Sequence, residues 1–353
     1  MMHILGLCNG SIHGNSEILL KAALEAAKEF DSSITVSWIH VPSVALPRNH
    51  KPIKSDPSII PYRNDDDKTG KGANGISNVP LDDREAVFNA IMDADALIIA
   101  SPVYSHSPAG TLKALADAIL GPYADVSESY RIKARQESGQ ANGHTNGNSS
   151  AKQPNPRDLK PRVAGFIAVA GSAPEFPEQW TMALPALHSV TYCMHAHVID
   201  QVVFPGFANA GSVLLEAEHT IPRARTLGER VASQIGKPYD EAMYLGPEEE
   251  GSCPYCHLLK IEFREGNNVA CMTCGANAVL AVGEGGKIRP VWEKNSNVSC
   301  MTLEGKWKHI DDIGRKLGSE RPRLGNIQDE VDRWKKIEFP LVPLPSNSYG
   351  SKM

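Results

Sequence analysis

The stretch ALIIASPVYSHSPAGTLKALADAILGPY, residues 96–123, constrains this chain more than any other. Ala96 to Ala100 is an unbroken apolar run, as expected of a central parallel strand buried on both faces. Ser101 to His106 then has too few long apolar side chains to be core. Ser107 is a good N-cap, Pro108 suits the first helical position, and Leu112, Leu115, Ala116 and Ile119 recur at helical spacing. The predicted unit is strand, polar-aromatic loop, helix. Open α/β sheets bind ligands at the carboxyl end of their strands, where this loop falls. An ordinary βα turn has the same outline, and this stretch alone does not separate the two.

The rest of the first 240 residues repeats the alternation. His3 to Leu7 reads as strand one, then Gly10-Ser11-Ile12-His13-Gly14-Asn15-Ser16, then a helix to about Phe30 with Ile18, Leu19, Ala22, Ala23 and Ala26 on its buried face. A Gly/Ser/Asn loop opening onto a helix amino terminus offers N–H groups, hydroxyls and a positive dipole end to a phosphate. Asn15 or Ser16 acting only as a cap is the plainer alternative. The loop is neither a Walker loop nor GxGxxG. Ile34 to His40 is a second strand, and Pro42 to Pro80 a long polar loop expected to be a lid or disordered. Asp82 or Asp83 caps a helix carrying Ala86, Val87, Ala90 and Ile91. Arg135 to Arg157 is low-complexity and is expected to be a disordered insertion. Val163 to Ala170 is a strand ending at Gly171-Ser172-Ala173-Pro174, Glu178 to Tyr192 a helix kinked at Pro185, Val198 to Phe204 a fifth strand, and Pro222 to Ile235 a closing helix. Five strands alternating with helices imply a doubly wound parallel sheet.

Composition narrows the function classes. A chain of 353 residues can bury one substantial core plus a smaller module. A net charge of −5 and a pI of about 6.2 argue against nucleic acid or anionic membrane as partner. No apolar run approaches the roughly 20 residues that span a bilayer, and MMHILGLCNG does not read as a signal peptide. Seven cysteines, four of them in CxxC units, suit a reducing compartment and a metal, so a cytoplasmic protein is expected.

The order Gly10-Ser11…Asn15-Ser16, then DDREAVFNAIMDADALIIASPVYSHSPAGTLKALAD, then a strand ending in Gly171-Ser172, resembles the flavodoxin-like NAD(P)H-dependent FMN reductases. The branch most similar is the iron–sulfur flavoproteins and their cluster-free relatives, over roughly residues 2–236. The resemblance implies a sheet of order 2-1-3-4-5, FMN as cofactor and NAD(P)H as reductant. It implies that Ser11, His13, Asn15 and Ser16 hold the FMN phosphate, that Pro102, Val103, Tyr104 and Ser105 line the isoalloxazine, and that Gly171 and Ser172 approach its pyrimidine end. Tyr104, His106 and Trp180 are candidates for shaping the substrate face. It also implies a homodimer or homotetramer. His13 stands where the family usually has arginine, and Asn78-Val79-Pro80-Leu81 stands where the iron–sulfur branch carries its cysteines, so no such cluster is expected there.

A second module is expected over residues 247–300. Cys253-Pro-Tyr-Cys256 and Cys271-Met-Thr-Cys274-Gly275 are two knuckles with 14 residues between them, Leu258 to Phe263 and Ala278 to Val282 alternate as strands, and Glu265 to Asn268 turns the chain. That is the layout of a zinc ribbon, in which four thiolates suit tetrahedral zinc. The knuckles also resemble rubredoxin's, which hold iron; a redox-active CxxC pair fits less well, because neither leads from a strand into a helix. Cys8, Cys193 and Cys300 are single and receive no catalytic role. The histidines from His188 to His197 fall on different faces and are read as satisfied or exposed. Residues 301–353 are read as a tail wrapping the body or a partner subunit.

The resulting expectation is an FMN-dependent NAD(P)H oxidoreductase acting on a small molecule such as a quinone, enone, nitroarene or biosynthetic intermediate. A flavin and rubredoxin-like electron carrier is the rival, and a binding module on a degenerate scaffold the third reading. A visible spectrum of the purified chain separates the first two. Zinc leaves only the flavin bands, whereas ferric tetrathiolate iron adds strong absorption of its own.

Overall fold

The computed structural model describes residues 2–46, 82–120, 124–138 and 153–340. In chain order the elements of the larger domain are β1 (His3–Cys8), α1 (Asn15–Phe30), β2 (Thr35–His40), α2 (Arg84–Asp93), β3 (Ala96–Tyr104), β4 (Ser107–Pro108), α3 (Gly110–Ile119), α4 (Val126–Glu137), α5 (Pro156–Leu159), β5 (Arg162–Val169), α6 (Ala183–Thr191), β6 (Ala196–Phe204) and α7 (Ala217–Gln234). The sheet runs β2-β1-β3-β5-β6, all parallel, with β4 paired antiparallel to the end of β3. Counting only the parallel strands, this is the flavodoxin-like 2-1-3-4-5 order.

The period-2 pattern of the strands explains the two cores. Leu5, Leu7, Leu97, Ile99 and Phe166 point to one face and meet Phe88, Leu115 and Leu187 from α2, α3 and α6. Ile4, Ile98, Ala100 and Ile167 point to the other and meet Leu19, Ala23, Leu227 and Val231 from α1 and α7. Helices α1 and α7 touch backbone to backbone, because a Cβ on Gly228 would stand 1.9 Å from the Ala23 carbonyl oxygen. Only glycine admits that approach.

Several local expectations are corrected. Strand β3 does not end at Ala100 but runs to Tyr104, and Ser107 and Pro108 return along it instead of starting a helix. Ser105 (φ 48°) and His106 (φ 70°) are both left-handed, the two central residues of a tight hairpin. Helix α3 starts at Gly110 with Ala109 as N-cap. Pro185 produces no kink, because α6 begins at Ala183 and the proline lies in its first turn, where a missing N–H costs nothing. Helix α7 begins at Ala217, with Pro222 inside it.

The expected insertion over 135–157 is also too wide. Helix α4 continues to Glu137, capped by Asp125, whose carboxylate accepts from the Ser127 N–H at 2.8 Å. At the other end Asn155 and Asp158 are buried and Ser129 donates to Asp158 at 2.7 Å. Residues 139–152 lie outside the described residues, as do 47–81, most of the long polar loop, with Asn78 to Leu81 among them.

The ribbon is a four-stranded antiparallel sheet, β10-β9-β8-β7, made of β7 (Ile261–Phe263), β8 (Asn268–Cys271), β9 (Asn277–Val282) and β10 (Ile288–Trp292). The first strand is shorter than expected and β10 was not anticipated. The larger domain and the ribbon form one compact unit through Lys308. The linker covers the free edge of β6, where the Leu245 and Gly246 N–H groups donate to the Ile199 carbonyl at 2.7 and 3.2 Å. Buried Gln201 bridges the two parts: its amide nitrogen donates to the Cys256 carbonyl at 2.9 Å, and its oxygen lies 2.9 Å from His188 Nε2. The Tyr192 hydroxyl donates to the Thr273 carbonyl, and buried Lys306 donates to the Tyr192 and Met194 carbonyls at 2.6 and 2.9 Å. Lys306 belongs to α8 (Leu303–Glu320), so the stretch read as tail begins inside the compact body. The second unit, from His309, holds the rest of α8 and α9 (Gln328–Lys335), the latter with a Trp334 indole donating to Glu330 at 2.9 Å. Residues 341–353 lie outside the described residues. No helix among the described residues is long and apolar enough to cross a membrane.

Asp158 gives this region a pH signature. Burial pushes its carboxyl up to about 6, against the pull of the Ser129 hydroxyl and of Arg162 and Arg157. A carboxyl with a raised folded pKa contributes stability that is present below its unfolded value, near 3.8, and lost as pH rises through about 6. Asp158→Asn keeps an acceptor for Ser129 and cannot ionise. Relative to wild type, its chemical-denaturation stability is expected to gain on the order of 2–3 kcal/mol between pH 4 and pH 7.

Candidate functional site

Strand β1 ends at Cys8, and the chain turns through Asn9 and Gly10 into α1. Asn9 is buried and its amide is fully used. Its nitrogen donates to Ser101 Oγ at 2.9 Å and the Ala109 carbonyl at 2.8 Å, and its oxygen accepts from the Thr111 hydroxyl at 2.6 Å. It thereby ties the first loop to the end of β3 and the start of α3. Sequence reasoning missed Asn9, although a polar residue just past a buried strand and before Gly-Ser was a usable signal. His40 Nε2 lies 2.8 Å from the Gly10 carbonyl and holds the loop from the other side.

The loop has the form of an anion cradle. Gly14 is the N-cap of α1, the Gly14 N–H donates to the Ser11 carbonyl at 3.0 Å, and Ile18 makes the first intrahelical bond. The N–H groups of the first helical turn therefore have no intrahelical partner. A Cβ on Gly10 would stand 2.9 Å from Ser16 Cβ, and one on Gly14 2.5 Å from Ser11 Oγ, so both glycines keep the cradle open. Ser11 is exposed at its rim and Ser16 is buried at its base.

Of the residues expected to hold a phosphate, Asn15 has its side chain committed elsewhere. Asn15 is buried, its amide nitrogen donating to the Phe207 and Asn209 carbonyls at 3.1 and 2.8 Å while its oxygen accepts from the Val213 N–H at 3.2 Å. It anchors the loop after β6, and only its backbone N–H is left for a ligand. His13 is left-handed at φ 58°, and its ring is 87 % exposed, 3.7 Å from Glu17. Its N–H is taken by the Glu17 carboxylate at 2.8 Å. Glu17 is buried and paired with Lys21 at 2.5 Å. Despite the cost of burial, Lys21 and the His13 N–H hold its carboxyl below the usual range.

The second wall is the hairpin. Pro102 and Val103 are half-buried, while Tyr104, 64 % exposed, Ser105 and His106 stand out from it. His106 Nδ1 is 2.8 Å from the Glu178 carbonyl, so that nitrogen carries the hydrogen and the hairpin tip is fastened to the Pro177–Trp180 turn. Trp180 is half-buried against the core. The third wall is Gly171 and Ser172. The Gly206 N–H donates to the Ser172 carbonyl at 2.7 Å and the Phe207 N–H to the Ala170 carbonyl at 3.0 Å, which locks this loop to the one Asn15 anchors. The three loops thus share one sheet edge, linked by Asn9 on one side and Asn15 on the other.

In the ribbon, Cys253, Cys256, Cys271 and Cys274 are buried, and their sulfurs all lie within 4.8 Å of one another. The Cys253–Cys274 and Cys256–Cys271 separations are 3.5 and 3.4 Å. A tetrahedron of zinc–sulfur bonds near 2.3 Å has edges of about 3.8 Å, so this donor set fits such an ion with small adjustment. Among the described residues this is the one convergent group of metal-ligating side chains. His188 and His197 are pushed down to about 4 by burial and are neutral. His195 stacks on Tyr239 with ring centroids 4.2 Å apart. Burial raises the Cys8 thiol and pushes Cys193 up to about 12, which leaves both as unreactive thiols.

The load on Asn9 is measurable. Asn9→Ala removes one partner each from the Ser101 hydroxyl, the Ala109 carbonyl and the Thr111 hydroxyl. A loss of about 2–3 kcal/mol in denaturant unfolding is expected. A loss below the precision of the measurement would show that water replaces the amide at no cost.

Residues 2–128 match the family model described as NADPH-dependent FMN reductase. The chain is 29% identical over 327 residues to a protein named flavone synthase cfoJ from Aspergillus candidus, covering 90% of this chain and 91% of that one. A solved structure titled flavone reductase superposes with a TM-score of 0.70 at 24% identity, covering 97% of this chain and all of that one, and shares its fold. Strands β1, β2 and β3, the loop that opens α1 and the SPVY hairpin all lie within the segment that is similar to NADPH-dependent FMN reductases.

Proposed function

We propose that the chain is an FMN-dependent NAD(P)H oxidoreductase whose acceptor is a small planar molecule with a conjugated enone. The observation that carries this reading is the convergence of three loops on one sheet edge: a helix amino terminus with a glycine cradle, an exposed aromatic hairpin and a backbone-locked Gly-Ser loop. Bound FMN supplies hydride uptake from the nicotinamide and delivery to the acceptor. The residues bind and orient. Ser11, Ser16 and the N–H groups of the first turn of α1 take the phosphate. Pro102, Val103, Tyr104 and Ser105 form one wall of the ring site, and Gly171 and Ser172 the other. Tyr104 and Trp180 bound the substrate face, and His106, its Nδ1 committed to Glu178, presents Nε2 as an acceptor. The enone is favoured over a quinone or nitroarene because both relatives named above carry flavone in their names.

The four-cysteine set is read as one structural zinc, since four thiolates leave no open position for water or substrate. A cytoplasmic homodimer or homotetramer belongs to the same reading, and light scattering on the purified chain tests the assembly.

The purified protein is expected to be yellow, to be bleached anaerobically by NADH or NADPH, and to recover its colour on addition of a flavone or quinone. Ser11→Ala should weaken FMN binding several-fold with little change in melting temperature, because its hydroxyl supports no other contact. Tyr104→Ala should keep FMN and alter turnover. Elemental analysis should find about one zinc per chain, and Cys271→Ser should lose it together with protection of the ribbon amides from hydrogen exchange. A colourless chain that neither takes up FMN nor oxidises NAD(P)H would refute the reading.

A further inference from the structure

Strand β2 braces the anion cradle from its outer side, and His40 at the end of the strand decides how one peptide is turned. Its ring is half-buried, with Nε2 2.8 Å from the Gly10 carbonyl and Nδ1 2.6 Å from the Ser43 hydroxyl. A carbonyl only accepts, so Nε2 carries the hydrogen. Nδ1 of the neutral ring is then an acceptor, and the Ser43 hydroxyl donates to it. The tautomer is thus fixed from both ends.

The consequence falls on the peptide that joins Gly10 to Ser11. A trans peptide is planar, and its C=O and N–H point to opposite sides of the chain. The strand order β2-β1-β3 puts His40 on one side of the loop and the end of β3 on the other. With the Gly10 carbonyl turned to β2, the Ser11 N–H is turned to the β3 side. Gly10 stands close to that strand: a Cβ built on it would lie 3.7 Å from Pro102 Cδ. The crevice between β1 and β3 is where the strand order reverses, the place at which doubly wound sheets take their ligands.

A second brace from β2 holds the other end of the loop. Trp38, two residues before His40 and so on the same face of the strand, has Lys21 Nζ 4.9 Å from its ring centroid. Lys21 pairs with Glu17, and Glu17 takes the His13 N–H at 2.8 Å. Between these two fixed points the Ser11 and Ile12 N–H groups have no acceptor among the described residues. Backbone N–H groups that are held in place yet unused are what an anion needs.

We infer that His40 is a positioning residue for the phosphate: by holding the Gly10 carbonyl it presents the Ser11 N–H to the cradle. The inference rests on the FMN reading above and adds to it a residue outside the cradle itself.

The test compares FMN with riboflavin, which lacks only the phosphate, by fluorescence titration of the full-length chain. His40→Phe keeps a ring beside Trp38 but has no donor. It should weaken FMN by about tenfold or more, the worth of one hydrogen bond to a charged group, and riboflavin hardly at all. His40→Gln returns an N–H to the place of Nε2 and should restore the wild-type preference for FMN. A role in folding alone would weaken both flavins alike. Nitrogen-15 shifts of the wild-type ring in alkaline buffer, which need no variant, should show the hydrogen on Nε2. An unchanged preference for FMN in His40→Phe, an equal loss for both flavins, or a hydrogen on Nδ1 overturns the inference. A wild-type chain that binds neither flavin overturns the inference and the reductase reading together. FMN that binds with the expected preferences but is not bleached by NAD(P)H overturns the reductase reading alone.

Discussion

One buried amide sets the geometry of the carboxyl edge of the sheet. Asn9 sits where β1 gives way to the anion cradle, and its three hydrogen bonds reach the end of β3, the N-cap of α3 and the first turn beyond it. A buried amide network of this kind is worth more intact than any of its bonds alone, because removing one member strands the others away from water. Asn15 makes the matching link to the loop after β6. The cradle, the hairpin and the Gly-Ser loop are therefore tied together through two buried amides.

The second constraint is the free edge of β6. A parallel sheet has two edges with unpaired backbone groups, and a hydrophobic one invites pairing with another chain. Here the linker at Leu245 and Gly246 takes the Ile199 carbonyl, and Gln201 reaches from the strand to the Cys256 carbonyl. Asp200 points the other way and is clasped by Arg223 and Arg230 of α7, at 2.5 to 2.9 Å. The strand is thus held from α7, from α6 through His188, and from the ribbon.

The unbroken apolar runs made the sheet legible in the sequence, and the CxxC spacing made the ribbon legible, because both signals are local. The hairpin was not. Ser107-Pro108 is as good a helix start as exists in isolation, and only the extension of β3 beyond the sheet, with two left-handed residues at its tip, turns it into a strand. Asn15 was misread for a related reason. Its type suited a phosphate loop, but the partner that claims its amide lies nearly two hundred residues away. Residues 153–157 read by composition as part of the disordered insertion because their contacts, the Asn155 N–H with Ser129 and Arg157 with Asn89, are polar and long-range. Helix α4 and strand β10 were passed over, since neither carries a strong apolar period.

The cover of β6 has a chemical dependence of its own. The carbonyl that Gln201 seizes belongs to Cys256, one of four thiols packed within 4.8 Å. Two neighbouring thiols at such range are prone to oxidation when nothing ligates them. If they pair as disulfides, the first knuckle changes shape, and the partner of Gln201 moves with it. The parallel sheet and its three loops stay whole, but an edge strand rich in valine is left open to other copies of itself. Oxidative damage to this protein would then present as precipitation.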